Sequence, residues 1–158
     1  MPRIVNPSTI APPASRYAHG IVHSARARRL VISGQVGVRL DGTVGETLAE
    51  QMEICWDNIF AILAEAGMSP TDLVKITVFT TVPGSVSLYR AMRDRKLAGH
   101  RAAATYLEVA GLAHPALLVE IEAEAVCEES DGAFLDMPAS DDALLAPHLD
   151  PARSRASE

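Results

Sequence analysis

The stretch LLVEIEAEAV, residues 117–126, limits the possible folds more than any other part of the chain. Side chains alternate faces along a strand. Val119, Ile121, Ala123 and Ala125 therefore form one apolar face, and Glu120, Glu122 and Glu124 share the opposite face. Such a strand belongs to a sheet that is covered on one side and open on the other. The three carboxylates admit three readings: a solvated sheet face, a metal site, or part of a binding cleft.

The cover for the apolar face is also legible. Residues 47–66 predict the strongest helix, with Leu48, Met52, Cys55, Trp56, Ile59, Phe60 and Leu63 spaced at three and four. Gly67 follows as a C′ stop. A second helix is predicted over residues 85–97, with Val86, Tyr89 and Met92 as a weaker stripe. Strands are expected at residues 17–22, in RLVISGQVGV, at 74–79, at 105–109 and at 117–126. In the strand at 74–79, Val74, Ile76 and Val78 face one way, and Lys75, Thr77 and Phe79 the other. Asp41-Gly42 is a turn signal after the second strand, and the first two strands are expected to form a hairpin. The residues up to Ser15 read as an extended, proline-rich lead-in. The predicted order is β-β-α-β-α-β-β: an α/β (α+β) fold with a mixed sheet and two helices on one face. Residues 1–127 are expected to form one domain, and residues 128–158 a mobile acidic tail.

Charge narrows the function classes. The 158-residue chain has a formal net charge of −6. From Glu128 onward there are eight acidic and two basic residues, so the whole imbalance lies in the tail; the body carries twelve of each sign. A neutral body lacks the basic footprint that nucleic-acid binding needs. No apolar run is long enough to span a membrane, and MPRIVNPSTIAPPAS lacks a signal-peptide core, so a cytoplasmic location is expected. Cys55 and Cys127 lack CxxC spacing and read as small buried hydrophobes.

Motif chemistry is sparse. Successive same-face glutamates on a strand stand about 7 Å apart, too far for all three to share one ion. Ser33 lies in ISGQV, not in a G-x-S-x-G elbow. His19 and His23 have no third ligand of matching spacing, and no GxGxxG or phosphate loop occurs. An open face that mixes Glu120, Glu122 and Glu124 with Phe79 and Leu118 suggests an oligomer with clefts between subunits.

Four segments carry a resemblance to a known family: SRYAHG after a proline-rich start, LVISGQV, WDNIFAILAEAGMSPTDLVKITVF, and LEVAGLAHPALLVEIEAEAV. Over residues 6–126 the chain resembles the Rid/YjgF family, whose best-known branch is the RidA 2-imino acid deaminases. The resemblance implies a chorismate-mutase-like fold, a homotrimer with a barrel-like core, and ligand clefts between adjacent subunits. It also implies a small-molecule ligand and no metal or organic cofactor. By the same resemblance Glu120 positions the attacking water, Tyr17, Ser33 and Gly34 lie beside the ligand, and Glu122 and Glu124 line the inside of the trimer. Family members labelled as ribonucleases find little support in the neutral body.

The active branch also carries an arginine in a P-A-R-S segment, which grips the substrate carboxylate. Aligned on LEVAGL, that arginine falls at Ala104, and a neighbouring cysteine falls at Tyr106. Arg101, three residues upstream in an altered loop, is the candidate replacement, and Tyr106 is expected to reshape the cleft. The resemblance thus leaves two expectations, an imine or enamine hydrolase and a binding trimer without turnover.

Overall fold

A computed structural model describes residues 2–128. Apart from Glu128, the acidic tail expected at 128–158 lies outside the described residues. Two sheets are present. β1 (Arg3–Val5) pairs antiparallel with β2 (Gly20–Val22) in a small ribbon. The main sheet contains β3 (Arg28–Val36), β4 (Leu73–Thr80), β5 (Ala103–Glu108) and β6 (Val119–Cys127), in the order β3-β6-β4-β5. β5 runs parallel to β4, and the other neighbouring pairs are antiparallel. Two helices, α1 (Leu48–Glu65) and α2 (Val86–Leu97), complete a mixed α+β fold.

The expected hairpin of the first two strands does not form. β2 pairs with β1 from the lead-in, while β3 pairs with β6. A three-residue strand has too few positions to show a period, so its partner is not legible locally. Tyr17 lies outside β2, and Ala18 instead makes a parallel bridge to Ala103, the first residue of β5.

α1 begins where its sequence says it should. The Thr47 hydroxyl accepts from the Glu50 amide at 3.2 Å, and the Glu50 carboxylate accepts from the Glu46 amide at 2.7 Å. The Glu46 amide is the main cause that holds the Glu50 carboxyl below its ordinary range, and Arg39 adds to it. Gly67 closes the helix at φ +63°, a conformation that favours glycine. The α1 stripe of Met52, Cys55, Trp56, Ile59 and Leu63 is buried against Ile76, Val78, Val119, Ile121, Ala123 and Ala125. This is the expected apolar face of β6, covered by helix. The opposite face is open and carries Val31, 65% exposed, and Leu107, 44% exposed. Among the described residues no helix is long and apolar enough to cross a membrane.

One polar side chain ties loops to this core. Gln51 is buried, and its Nε2 donates to the carbonyls of Gly45 and Ala116, each at 2.8 Å. Its Oε1 accepts from the Leu118 amide at 2.7 Å. A Cβ on Gly37 would lie 2.4 Å from the Gln51 side chain, so the glycine gives it room. The segment entering β6 is thereby fixed to α1.

Candidate functional site

The sequence-predicted residues fall into two clusters. The first is built on β6 and β3. The β3–β6 register shifts between Ile32 and Gln35, and Ser33 and Gly34 occupy this bulge. Gly34 stands under Glu120: a Cβ built there would lie 1.8 Å from Glu120 Oε1. The carboxylate thus rests where any other side chain would begin. Phe79 lies beside Glu120 in the β4 register, and Leu107 lies beyond it on β5. Glu120 makes no hydrogen bond or ion pair among the described residues, and the same holds for Glu122. Glu124 differs, because Arg29 Nη2 holds it at 2.7 Å.

Cys55 lies on the helix side of the same region, where its Sγ donates to the Gln35 carbonyl at 3.1 Å. Burial first, and the Glu120 charge second, push its thiol up to about 12. It is therefore a neutral thiol at physiological pH and not a nucleophile.

The second cluster lies at the β5 edge. Tyr17, Ala104 and Tyr106 line a cavity of about 170 Å³ together with Tyr89, Arg90 and Arg93 of α2. The Ala18 amide donates to the Ala102 carbonyl at 3.1 Å and brings Tyr17 to this edge. The Tyr106 hydroxyl meets Ser85 Oγ at 2.7 Å, and its ring lies 5.4 Å from that of Tyr89. The Tyr106 side chain thus forms part of the cavity wall.

Arg101 is elsewhere. It lines a different cavity of about 290 Å³, with Ile4, Ile21, Leu73, Val74 and His100. The His100 Nε2 is held by the Leu73 carbonyl at 2.7 Å. The structure therefore does not bring Arg101 to Ala104. It brings Arg93 there instead, a residue that the sequence reading passed over. The available signal was its place four residues after Tyr89, on the stripe that faces the sheet.

The two clusters lie on opposite sides of the sheet. Tyr106 is in register with Val78, which faces the helices, whereas Glu120 is in register with Phe79 on the open face. β5 and β6 are separated by β4, so their backbones stand about 10 Å apart. Among the described residues no group of three or more His, Cys, Asp or Glu side chains is placed to hold a metal ion.

Comparison with known proteins decides the kinship. A family model described as endoribonuclease L-PSP matches residues 8–127. The chain belongs to this family, that of the Rid/YjgF proteins. Among its relatives is the RutC family protein YjgH of Escherichia coli, 43% identical over 54 residues. That match covers 34% of this chain and 41% of the relative. A RutC family protein of Leuconostoc mesenteroides is 35% identical over 79 residues, covering 49% of this chain and 58% of the relative. The matched stretches thus span less than two thirds of either relative. Solved Rid structures align over more of their length. YyfB from Yersinia pestis, a Rid family protein of unknown function, has a TM-score of 0.72 at 30% identity, covering 79% of this chain and 98% of its own. The Escherichia coli YjgF product has a TM-score of 0.58 at 28% identity, covering 70% and 93%. The mixed sheet with two helices is the fold of these Rid/YjgF neighbours.

Proposed function

We propose that this chain binds a small imine, enamine or 2-oxo-acid-like metabolite in clefts between the subunits of a homotrimer, and hydrolyses the imine with release of ammonia. The observation that carries this reading is Glu120, a carboxylate without a partner among the described residues, seated on Gly34 at the open sheet face. An unpaired carboxylate in such a position can take a proton from water. In the step proposed, Glu120 removes that proton as the water oxygen bonds to the imine carbon. The C=N electron pair moves to nitrogen, which takes that proton from Glu120 and leaves a carbinolamine. The hydroxyl proton then passes by way of Glu120 to the amine, the C–N bond breaks, and ammonia leaves as the carbonyl forms. The chemistry needs neither a redox change nor a cofactor.

The split of the residues supports the oligomer. Glu120 and the Tyr17–Tyr106 cavity lie on opposite faces of one sheet, so one copy cannot bring them onto one ligand. A neighbouring copy would supply the missing half. The exposed Val31 and Leu107 on the open face would be covered in that assembly.

A second reading is a trimer that binds a metabolite without turnover. Ala104 favours it, since alanine offers no grip on a substrate at that position. The test is the decay of 2-iminopropanoate and 2-iminobutanoate generated in situ, with wild type and Glu120→Gln. Acceleration that falls by about 100-fold or more in Glu120→Gln is expected from loss of the base. Wild-type decay no faster than in protein-free buffer would overturn the hydrolase and leave the binding trimer.

A further inference from the structure

Arg93 is an unusual residue for its place. It lies on the core-facing stripe of α2 and is only 3% exposed. Charged side chains are seldom buried so deeply without full pairing. Its pairing here is partial. Nε and Nη2 both donate to one oxygen, Asp94 Oδ1, at 3.0 and 2.8 Å. A guanidinium has five N–H donors. Both donors of Nη1, and the second of Nη2, make no further bond of hydrogen-bond geometry among the described residues, although the Tyr89 phenol adjoins the guanidinium. One hydrogen of Nη1 and the remaining one of Nη2 form the edge that can receive a carboxylate through two parallel bonds.

The surroundings match that edge. Arg93 lines the cavity that also holds Tyr89, Arg90, Ala104 and Tyr106, and among the described residues no acidic side chain lines it. The Tyr89 hydroxyl is buried and has no hydrogen-bond partner of good geometry among the described residues. Burial raises its pKa, and Arg93, by its charge and by an interaction with the hydroxyl too poorly aligned to count as a hydrogen bond, offsets only part of that, so the phenol remains protonated at neutral pH. A buried donor without an acceptor is costly unless a ligand or water supplies one. Two adjoining groups, the guanidinium edge and the phenol ring it lies against (Cζ 5.7 Å from the centroid), thus both face a space that an acceptor could fill. Ala104 adds no group that would compete for that space. At about 170 Å³ the cavity suits a molecule of a few heavy atoms, not a nucleotide.

We propose that Arg93 and Tyr89 of α2 form a carboxylate-binding subsite of this chain, which selects small monocarboxylates over their uncharged analogues. The inference rests on the reading of the chain as a binder of small metabolites, but not on turnover. It replaces Arg101 as the source of the charge and places that charge on a helix, not on the β5 loop. Arg93 is a binding residue here, and Asp94 a positioning residue that sets the guanidinium plane.

The test is binding of 2-oxobutanoate to the full chain by calorimetry, beside its uncharged amide, 2-oxobutanamide. Wild type is expected to bind the acid at least about tenfold more tightly than the amide, because the charged pair is lost with the amide. Arg93→Met should weaken the acid at least about tenfold and leave the amide unchanged. Tyr89→Phe should weaken the acid by a few-fold, and Arg101→Ala should leave it unchanged. Should Arg93→Met fail to fold, the acid–amide ratio in wild type and the Tyr89→Phe result decide the matter. Equal affinity for acid and amide, no binding of either, or wild-type affinity in Arg93→Met would overturn the subsite. Selective binding without imine decay would keep the subsite and remove the hydrolase. Imine decay that is insensitive to Arg93→Met would do the reverse.

Discussion

Replacing Gly34 by alanine should move one side chain, that of Glu120, and little else. Gly34 does not use a positive φ, so alanine fits its backbone. The obstacle is the Glu120 side chain. The new Cβ would stand 1.8 Å from Oε1, 2.6 Å from Cδ and 2.8 Å from Cγ. Real Cβ atoms essentially never approach a heavy atom within 3.0 Å, so the carboxylate must withdraw by at least about 1.2 Å. Glu120 is half-buried at an open face and can swing away. The rotamer cost is about 0.5–1.5 kcal/mol. Alanine returns about 0.4–1 kcal/mol by narrowing the unfolded ensemble. The two nearly cancel, and Tm should shift by no more than roughly 4 °C. Chemistry is less forgiving: a displacement of about 1 Å at a reacting group can cost about 100-fold in rate. Imine decay and thermal unfolding should therefore separate, with the rate falling and the fold intact. In a Glu120→Ala background the clash is gone, and Gly34→Ala should stabilise by about 0.4–1 kcal/mol. A Gly34→Ala protein with the wild-type rate would refute the reasoning. So would a loss above about 3 kcal/mol in both backgrounds, because backbone rather than Glu120 would then be the obstacle.

Gln51→Leu should remove three hydrogen bonds and strand the Gly45 and Ala116 carbonyls and the Leu118 amide. A loss of about 3 kcal/mol and a Tm drop of roughly 10 °C are expected by denaturant and thermal unfolding. Cys55 sets an alkaline limit. Its folded pKa is raised to about 12, so its contribution is complete below the unfolded value near 9 and is lost as pH rises toward 12. Unfolding free energy measured from pH 8 to 11 should fall less steeply in Cys55→Ala than in wild type. A thiol reagent at pH 8 should modify Cys55 only as the protein unfolds.

The sequence resolves those parts whose signals are periodic. α1 lies within one residue of its predicted ends, because its stripe is long and Thr47 and Gly67 mark its limits. The alternation in β6 sets which side chains meet the helices, and Glu120, Glu122 and Glu124 do stand on the other face. The ribbon of β1 and β2 was not legible, since three residues cannot show a period and Arg3–Val5 resembles any extended lead-in. The Gly34–Glu120 contact depends on a bulge between strands far apart in sequence, and local patterns do not report such a shift. Arg93 escaped for a different reason. Charge usually marks a solvated helix face, and only the position of Tyr89 on the same stripe argues otherwise.

β6 is the last strand in the chain order of the main sheet, yet it lies inside that sheet, between β3 and β4. During synthesis, β3, α1 and β4 are complete before their common neighbour exists. Until residues 119–127 have emerged, the sheet has a gap where both of its inner edges present unmatched amides and carbonyls. The β3–β6 pairs join positions roughly ninety residues apart, so closure brings a large loop-entropy cost late and slows folding. A ribosome stalled ahead of Val119 would hold a chain with two sticky edges and an unfilled core. Completion of the domain is thus a single event, set by arrival of the strand that also carries Glu120.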